Sequence, residues 1–290
     1  MFKKNKKQIM VVTDDKPTVL ITENEDKQNE KSPMKTPLYI DTALANHVGT
    51  RKYQQDSAYV LEPLNRQGDC FGVLCDGMGG MEDGELVSAD VVAFLANALS
   101  NIPENMNIPK YYQELALEAN EMILQKYVKQ GKEAGTTLVS VLIQQNFLYW
   151  VSVGDSRIYI IRNQEIARMT TDHNYMLELQ ELVNAGSITQ EEANHHPQKE
   201  ALISYIGAPV IERIDMAKEP FLLQKEDIIL LCSDGLTKSL RDQQILEQIL
   251  LSDELADKAR KLTVEALDAS RGGQDNTTVI LIRYLGGDGC

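Results

Sequence analysis

The protein is a chain of 290 residues, of which 43% are hydrophobic and 25% are charged, as in an ordinary folded globular protein. Its formal net charge is −14 at pH 7. This charge argues against a nucleic-acid binder, because affinity for a phosphate backbone comes from Lys and Arg. An acidic surface can hold cations or can simply keep the protein soluble, and on charge alone the second interpretation is the simpler.

The first part of the chain differs in composition from the rest. Residues 1–36 are mostly Lys, Glu, Asp, Asn, Thr and Pro, which predicts a disordered tail. The apolar stretch Ile9-Met10-Val11-Val12 is too short for an export signal, and no apolar run has the length of a membrane-spanning helix. Cys75 and Cys232 lie inside apolar runs, which indicates buried thiols in a reducing compartment. We therefore expect a cytoplasmic protein that does not enter a membrane.

The pattern changes after Pro37, where short apolar and β-branched runs begin. Strands are predicted at 38–46, 57–62 and 69–75, followed by helices at about 84–99 and 110–130. The second helix carries one apolar face at three-to-four spacing, formed by Tyr112, Leu115, Ala119, Met122, Ile123 and Tyr127.

The second half of the chain is again rich in strands. Four runs joined by predicted turns at Gln145-Asn146 and Asn163-Gln164 indicate antiparallel hairpins. Strands are predicted at 137–144, 147–153, 156–162, 165–169, 211–217, 227–232 and 276–284, a polar helical stretch at about 173–206, and helices at about 242–250 and 254–269. Because strands outnumber helices and do not alternate with them, we expect an α+β domain with antiparallel sheets packed on each other and helices outside.

Four aspartates lie beside strongly apolar predicted strands. Asp76 and Asp234 each end such a strand, Asp275 precedes the last strand, and Asp155 follows a fourth. One Asp-Gly step is ordinary turn chemistry. If the strand ends converge, however, the carboxylates share a small volume and require cations such as Mg²⁺ or Mn²⁺. Ordinary turns and a carboxylate metal site both remain open at this point.

Other kinds of catalytic site lack their signatures. The four histidines have no zinc-type spacing, and no G-x-S-x-G elbow of a serine hydrolase is present. The run Gly77-Met78-Gly79-Gly80 lacks the Gly-Lys-Ser/Thr ending of a phosphate-binding loop.

Six short motifs occur in a fixed order along the chain. They are Arg51-Lys52-Tyr53-Gln54-Gln55-Asp56, Asp76-Gly77-Met78-Gly79-Gly80, Gly135-Thr136-Thr137-Leu138, Gly154-Asp155-Ser156-Arg157, Ser233-Asp234-Gly235-Leu236-Thr237 and Asp275-Asn276-Thr277-Thr278. Together they resemble the motifs of the metal-dependent protein phosphatase family, also called protein phosphatase type 2C, in its bacterial form. The likeness covers about residues 40–284.

The resemblance implies a set of metal ligands. Asp76 would bridge two Mn²⁺ or Mg²⁺ ions, and the carbonyl of Gly77 would bind one of them. Asp234 and Asp275 would bind the other. Asp155, with a contribution from Asp234, would hold a third and weaker ion.

The resemblance also implies roles for two further residues. Arg51 would grip the substrate phosphate, which suits a guanidinium because it is always charged and pairs bidentately with phosphate oxygens. Asp56 would orient metal-bound water. Gln55 departs from the family pattern, which has Glu at this position, and the lost charge could weaken one ion site. Met78 matches bacterial members rather than those that carry a histidine there.

The implied fold is an α-β-β-α sandwich, and the implied activity is hydrolysis of phosphoserine and phosphothreonine in proteins by metal-activated water. The domain would span residues 37–285, with a flap at about 171–206 that gates access and a C-terminal tail at 286–290. Phosphoproteins, a cognate serine/threonine kinase and a monomeric state would follow by analogy. Two alternatives remain, namely a pseudophosphatase that only docks partners and a metal hydrolase of small phosphate esters.

Overall fold

The computed structural model describes residues 40–61, 70–78, 83–103, 105–251, 254–270 and 272–286. The predicted tail at 1–36 and residues 287–290 of the predicted C-terminal tail lie outside the described residues. No helix within the described ranges is long and apolar enough to cross a membrane.

The elements follow one another as strands, two helices, strands, short helices, strands, three helices and a last strand. The strands are β1 (Ile40–His47), β2 (Asp56–Leu61), β3 (Cys70–Asp76), β4 (Leu138–Gln144), β5 (Phe147–Val153), β6 (Arg157–Arg162), β7 (Glu165–Arg168), β8 (Asp215–Met216), β9 (Phe221–Leu222), β10 (Ile228–Cys232) and β11 (Thr277–Tyr284). The α-helices are α1 (Gly84–Leu99), α2 (Ile108–Lys126), α3 (Tyr175–Asn184), α4 (Gln190–His195), α5 (Asp234–Ser239), α6 (Asp242–Leu250) and α7 (Leu255–Ala269).

The strands form two antiparallel sheets. The first has the order β1-β11-β10-β6-β7, and the second has the order β2-β3-β4-β5-β8, with β9 also pairing with β5. Asn163 and Gln164, which join β6 to β7, have φ angles of 52° and 63°, as a tight hairpin turn requires. The turn predicted at Gln145 between β4 and β5 is likewise present, with φ 57°.

Three apolar clusters show how the layers stack. The central cluster joins the two sheets, with Leu74 and Val141 from one and Leu231 and Ile280 from the other. A second cluster packs the outer face of β3, β4 and β5 against α1 and α2, and a third packs the outer face of β10 and β11 against α5, α6 and α7. The predicted α-β-β-α sandwich is therefore confirmed.

Strand β10 explains why the sequence shows an unbroken apolar run at this point. Alternate side chains of a strand point to opposite faces. Leu230 accordingly packs with the helices on the outer face, whereas Leu231 packs between the sheets. A strand that is buried on both faces needs apolar residues at every position.

Several element bounds differ from the prediction. The strand expected at 211–217 is reduced to the two residues of β8, and β9 was not predicted, since two-residue strands carry no alternation to detect. Helix α2 ends at Lys126 instead of about 130, because Tyr127 leaves helical geometry at φ −123° and a short 3-10 turn follows. The stretch 173–206 contains only α3 and α4 as helices, joined by turns.

Candidate functional site

The sandwich brings the predicted acidic residues to one end of the two sheets. Asp56 begins β2 and Asp76 ends β3, and the two face each other in the antiparallel register. Asp234 begins α5 directly after β10. Asp275 lies two residues before β11, and Asp155 lies in the connection from β5 to β6. Strand ends that are distant in sequence therefore supply one cluster, which we call the acidic cluster.

The electrostatics of Asp76 show how close these groups are. Burial raises the pKa of Asp76 well above its usual range, and the carboxylates of Asp56, Asp234, Asp155 and Asp275 each raise it further. Four like charges acting on one carboxyl group favour its neutral form unless cations compensate them.

Three neighbouring carboxyl groups show the same effect. Burial, with repulsion from Asp234 and Asp275, raises the pKa of Asp56 to about 7. Burial and Asp234 raise the pKa of Asp155 to about 7. The pKa of Asp234 is also raised, mainly by burial. Perturbed carboxyl groups gathered at one end of a fold are characteristic of functional sites.

The backbone around Asp76 is held by the Gly135-Thr136-Thr137 segment. The Asp76 amide donates to Thr137 Oγ1 at 2.9 Å, and the Asp76 carbonyl accepts from Thr136 Oγ1 at 2.9 Å. The Met78 amide donates to the Gly135 carbonyl at 3.0 Å. The sequence motif alone does not indicate a role for Thr136 and Thr137. In the structure their hydroxyl groups fix the backbone position of Asp76.

A tight backbone crossing lies directly beside Asp76. The Gly77 amide donates to the Gln55 carbonyl at 3.0 Å. A Cβ atom on Gly77 would lie 2.3 Å from the carbonyl oxygen of Gly84 and 2.6 Å from that of Gln55. Glycine is therefore required here for packing, and the Gln55 backbone helps to hold the crossing.

Asp56 and Asp234 each have one buried carboxylate oxygen without a hydrogen-bond partner among the described residues. Ser233 Oγ donates to Asp56 Oδ2 at 2.8 Å. The other oxygen, Asp56 Oδ1, is buried and has no hydrogen-bond partner among the described residues, and the same holds for Asp234 Oδ1. A buried carboxylate oxygen without a partner is costly, so these atoms fit a cation better than an empty environment.

Two side-chain cations of the chain compensate part of the negative charge. Arg51 Nη2 donates to Asp275 Oδ2 at 2.7 Å, and Lys238 Nζ donates to Asp234 Oδ2. With these pairs in place, no group of three or more His, Cys, Asp or Glu side chains in the described ranges is arranged to hold a metal ion. The donors themselves, all oxygens of carboxylates and carbonyls, are those that Mg²⁺ and Mn²⁺ prefer. The donor set therefore fits hard divalent cations, and withdrawal of Arg51 and Lys238 would add Oδ2 of Asp275 and of Asp234 to it.

Asn276 shapes the loop that carries Arg51. Its Oδ1 accepts from the Gln55 amide at 2.8 Å, and its Nδ2 donates to the carbonyls of Val48 at 2.8 Å and Tyr53 at 3.0 Å. Asn276 thus fixes both ends of a turn in which the Arg51 side chain is 52% exposed. The sequence shows that Asn276 directly follows Asp275. It does not show the three hydrogen bonds of Asn276, because they join residues that are distant in sequence.

The predicted flap begins beside Asp155. The Gly154 amide donates to His173 Nδ1 at 3.2 Å, and Arg157 makes two bonds to Asp172 at 3.0 and 2.8 Å. His173 is fully buried and acts as a local hydrogen-bonding residue. The start of the segment is thus tied to the turn that holds Asp155.

Comparisons with known proteins agree with this architecture. Residues 45–268 match the model of the protein phosphatase 2C family. A serine/threonine phosphatase, Stp, from Listeria monocytogenes is 31% identical over 237 residues, which cover 80% of this chain and 90% of the relative. The solved serine/threonine phosphatase of S. agalactiae is 32% identical with a TM-score of 0.71, covering 84% of this chain and 99% of that one.

A third comparison concerns metal. The solved catalytic domain of the serine/threonine protein phosphatase PstP, in complex with two manganese ions, is 31% identical with a TM-score of 0.66 and covers 84% of this chain and 97% of that one. The chain described here belongs to the protein phosphatase 2C family. The expectation of a phosphoprotein phosphatase of the bacterial serine/threonine type is confirmed at the level of this family.

Proposed function

We propose that this protein hydrolyses phosphoserine and phosphothreonine in proteins at the acidic cluster, in a reaction that depends on Mn²⁺ or Mg²⁺. One observation carries the proposal: carboxyl groups from both sheets meet at one end of the sandwich and raise one another's pKa values. Such a cluster stays ionised at neutral pH only when it holds cations. The PstP relative in complex with two manganese ions supports the same conclusion.

Asp76, Asp234 and Asp275, with the Gly77 carbonyl, would hold two ions, and Asp155 with Asp234 would hold a weaker third. Bound there, the ions would supply an acidified water and neutralise charge on the phosphoryl oxygens. Asp56 faces Asp76 across β2 and β3, and it would accept a hydrogen bond from that water and so orient it.

Arg51 would bind the substrate phosphate. Its side chain is half exposed and pairs with Asp275 at 2.7 Å, so it lies at the open side of the acidic cluster. With Asp275 engaged by a divalent ion, the Arg51 guanidinium would be free of this pair. Its planar donors can then pair with two phosphate oxygens.

The substrates would be proteins that a serine/threonine kinase of the same cell has phosphorylated. The segment 171–206, tied at its start to the Asp155 turn, would act as a flap that limits access to the cluster. A monomer acting in the cytoplasm completes the proposal.

The test is hydrolysis of a phosphothreonine peptide by the purified protein, with and without Mn²⁺. Asp234→Asn keeps the size of the side chain but removes its charge, and we expect it to lower kcat by at least about a hundredfold. Asp257→Asn, which alters an exposed carboxylate of α7, is the matched control and should leave the rate unchanged.

Activity that requires Mn²⁺ and is lost in Asp234→Asn supports the proposal. Absence of activity together with absence of Mn²⁺ binding in calorimetry contradicts it and favours a docking protein with the same fold. Rapid hydrolysis of a small phosphate ester, with no turnover of phosphopeptides or phosphoproteins, would instead favour a small-molecule hydrolase.

A further inference from the structure

Lys238 lies one helical turn after Asp234 in α5, and its ammonium group donates to Asp234 Oδ2. The Asp234 side chain is 15% exposed, whereas that of Lys238 is 46% exposed. The ammonium group therefore enters the acidic cluster from the solvent side, at the end of a flexible four-carbon stem.

The charge of Lys238 acts on more than one carboxylate. Burial alone would lower the pKa of Lys238, but Asp234, Asp155 and Asp275 together raise it above the usual range. In return, Lys238 opposes the rise in the pKa of Asp155. Lys238 is thus a positive charge that contacts Asp234 and acts electrostatically on Asp155, the two residues assigned to the weaker third ion.

Most ion pairs of the described residues lie elsewhere on the surface. Lys126–Asp90 and Arg260–Asp257 are examples that involve no residue of the acidic cluster. Among the described ion pairs, two involve a proposed metal ligand, namely Arg51–Asp275 and Lys238–Asp234. Arg51 has a role with the substrate once it withdraws, whereas the proposed function gives Lys238 none.

An ammonium group and a divalent cation that share one carboxylate repel each other at short range. An ion that binds Asp155 and the unpaired oxygen Oδ1 of Asp234 must therefore either tolerate the charge of Lys238 on Oδ2 or displace it. Because Lys238 is partly exposed, solvent reduces this repulsion but does not remove it.

We propose that Lys238 is an internal counter-cation of the acidic cluster, which neutralises Asp234 and Asp155 in place of a third divalent ion and competes with that ion for them. This inference rests on the proposed function, because it requires that the cluster binds divalent ions. It makes Lys238 a residue that sets the Mn²⁺ or Mg²⁺ concentration at which the weakest site fills.

The test is calorimetric titration of the metal-free full-length protein with Mn²⁺, with bound Mn²⁺ counted by electron paramagnetic resonance. In Lys238→Gln we expect the weakest binding step to tighten about tenfold, or a third ion to appear where the wild type binds two. The tighter steps should change by a smaller factor, because Lys238 contacts only Asp234 among the ligands of the two main ions. Lys238→Arg keeps the charge and should behave as the wild type. Lys126→Gln removes a lysine whose ion pair, with Asp90, involves no residue of the acidic cluster, and it should change nothing.

Thermal unfolding gives an independent measurement. In the metal-free state, Lys238→Gln leaves Asp234 and Asp155 without their counter-charge and should unfold several degrees below the wild type. Saturating Mn²⁺ should remove this difference. Lys238→Ala serves for the same two measurements if the Gln variant does not fold.

Two results would contradict the inference about Lys238, and they have different consequences for the proposed function. An unchanged or weakened last binding step in Lys238→Gln, while two ions still bind and support hydrolysis, overturns the competition and leaves the phosphatase proposal intact. Absence of Mn²⁺ binding in the wild type and all variants overturns both.

Discussion

At the scale of single residues, the ionisation of Asp56 and Asp155 should make the stability of the protein depend on pH. Their pKa values are raised from the usual range to about 7, chiefly by burial and then by neighbouring carboxylates. In the unfolded chain both ionise near pH 4. Between about pH 4 and pH 7 the folded state therefore binds more protons than the unfolded state, and its stability falls as pH rises.

We predict that the metal-free protein is more stable to urea at pH 5 than at pH 7.5. Saturating Mn²⁺ should weaken or reverse this trend, because bound cations favour the ionised carboxylates. Urea unfolding with a chelator present measures the first part. Asp56→Asn should show a smaller dependence on pH than the wild type, and an equal dependence would mean that Asp56 does not titrate in this range.

Arg51 is the second residue with a distinct expectation. We predict that Arg51→Ala lowers kcat/KM for a phosphothreonine peptide by about 10- to 100-fold, because a charge-assisted pair with phosphate is lost. The free energy of unfolding should change by less than about 1 kcal/mol, since the Arg51 side chain is half exposed and its pair with Asp275 is screened by solvent. Arg260→Ala, whose side chain is also 52% exposed, is the control and should keep full activity.

Arg51→Lys tests whether geometry as well as charge matters. A lysine supplies a point charge but not the planar pair of donors. We expect it to recover only part of the lost kcat/KM. Full recovery would indicate that Arg51 acts through charge alone.

At the scale of elements, the crossing of Gly77 with the backbones of Gln55 and Gly84 leaves no room for a side chain. A side chain at Gly77 would collide with two backbone carbonyls, which cannot move as a side chain can. We predict that Gly77→Ala costs about 2–4 kcal/mol of unfolding free energy and removes activity. Gly72→Ala lies in β3, the strand that directly precedes Gly77, with its nearest contact at 3.5 Å, and should cost less than about 1 kcal/mol. Similar losses in the two variants, measured by denaturant unfolding, would refute the crossing argument.

The elements that the sequence predicted well are those with a strong local pattern. Helix α1 was predicted over its full length, and β5 has the predicted bounds, because continuous apolar runs with turn residues on either side determine them locally. Helix α5 was missed, since Asp234-Gly235 is also ordinary turn chemistry. Because α5 was not predicted, the sequence did not indicate that Asp234 and Lys238 lie one helical turn apart and contact each other.

The site residues divide in the same way. The acidic residues could be predicted from their motifs, because each marks the end of an apolar strand. Ser233, Thr137 and Asn276 could not be assigned roles, since their bonds to Asp56, Asp76 and the Gln55 loop join segments distant in sequence. Such contacts depend on how the two sheets stack, which local pattern does not specify.

At the scale of the whole molecule, the sandwich explains why an acidic site can exist at all. The central cluster, with Leu74, Leu231 and Ile280 fully buried, fixes the two sheets relative to each other. One sheet carries Asp56 and Asp76 at its strand ends, and strand ends of the other sheet lie next to Asp234 and Asp275. The packing of the sheets holds these strand ends together at one end of the sandwich. The apolar core supplies the stability that opposes the repulsion among the carboxylates.

Anomalous diffraction from crystals grown with Mn²⁺ shows whether this end of the sandwich binds divalent cations. The expected result is two strong manganese peaks next to Asp76, one beside the Gly77 carbonyl and one beside Asp234 and Asp275, with Arg51 withdrawn from Asp275. Crystals with manganese only on surface carboxylates, and with the Arg51–Asp275 and Lys238–Asp234 pairs intact, would contradict it.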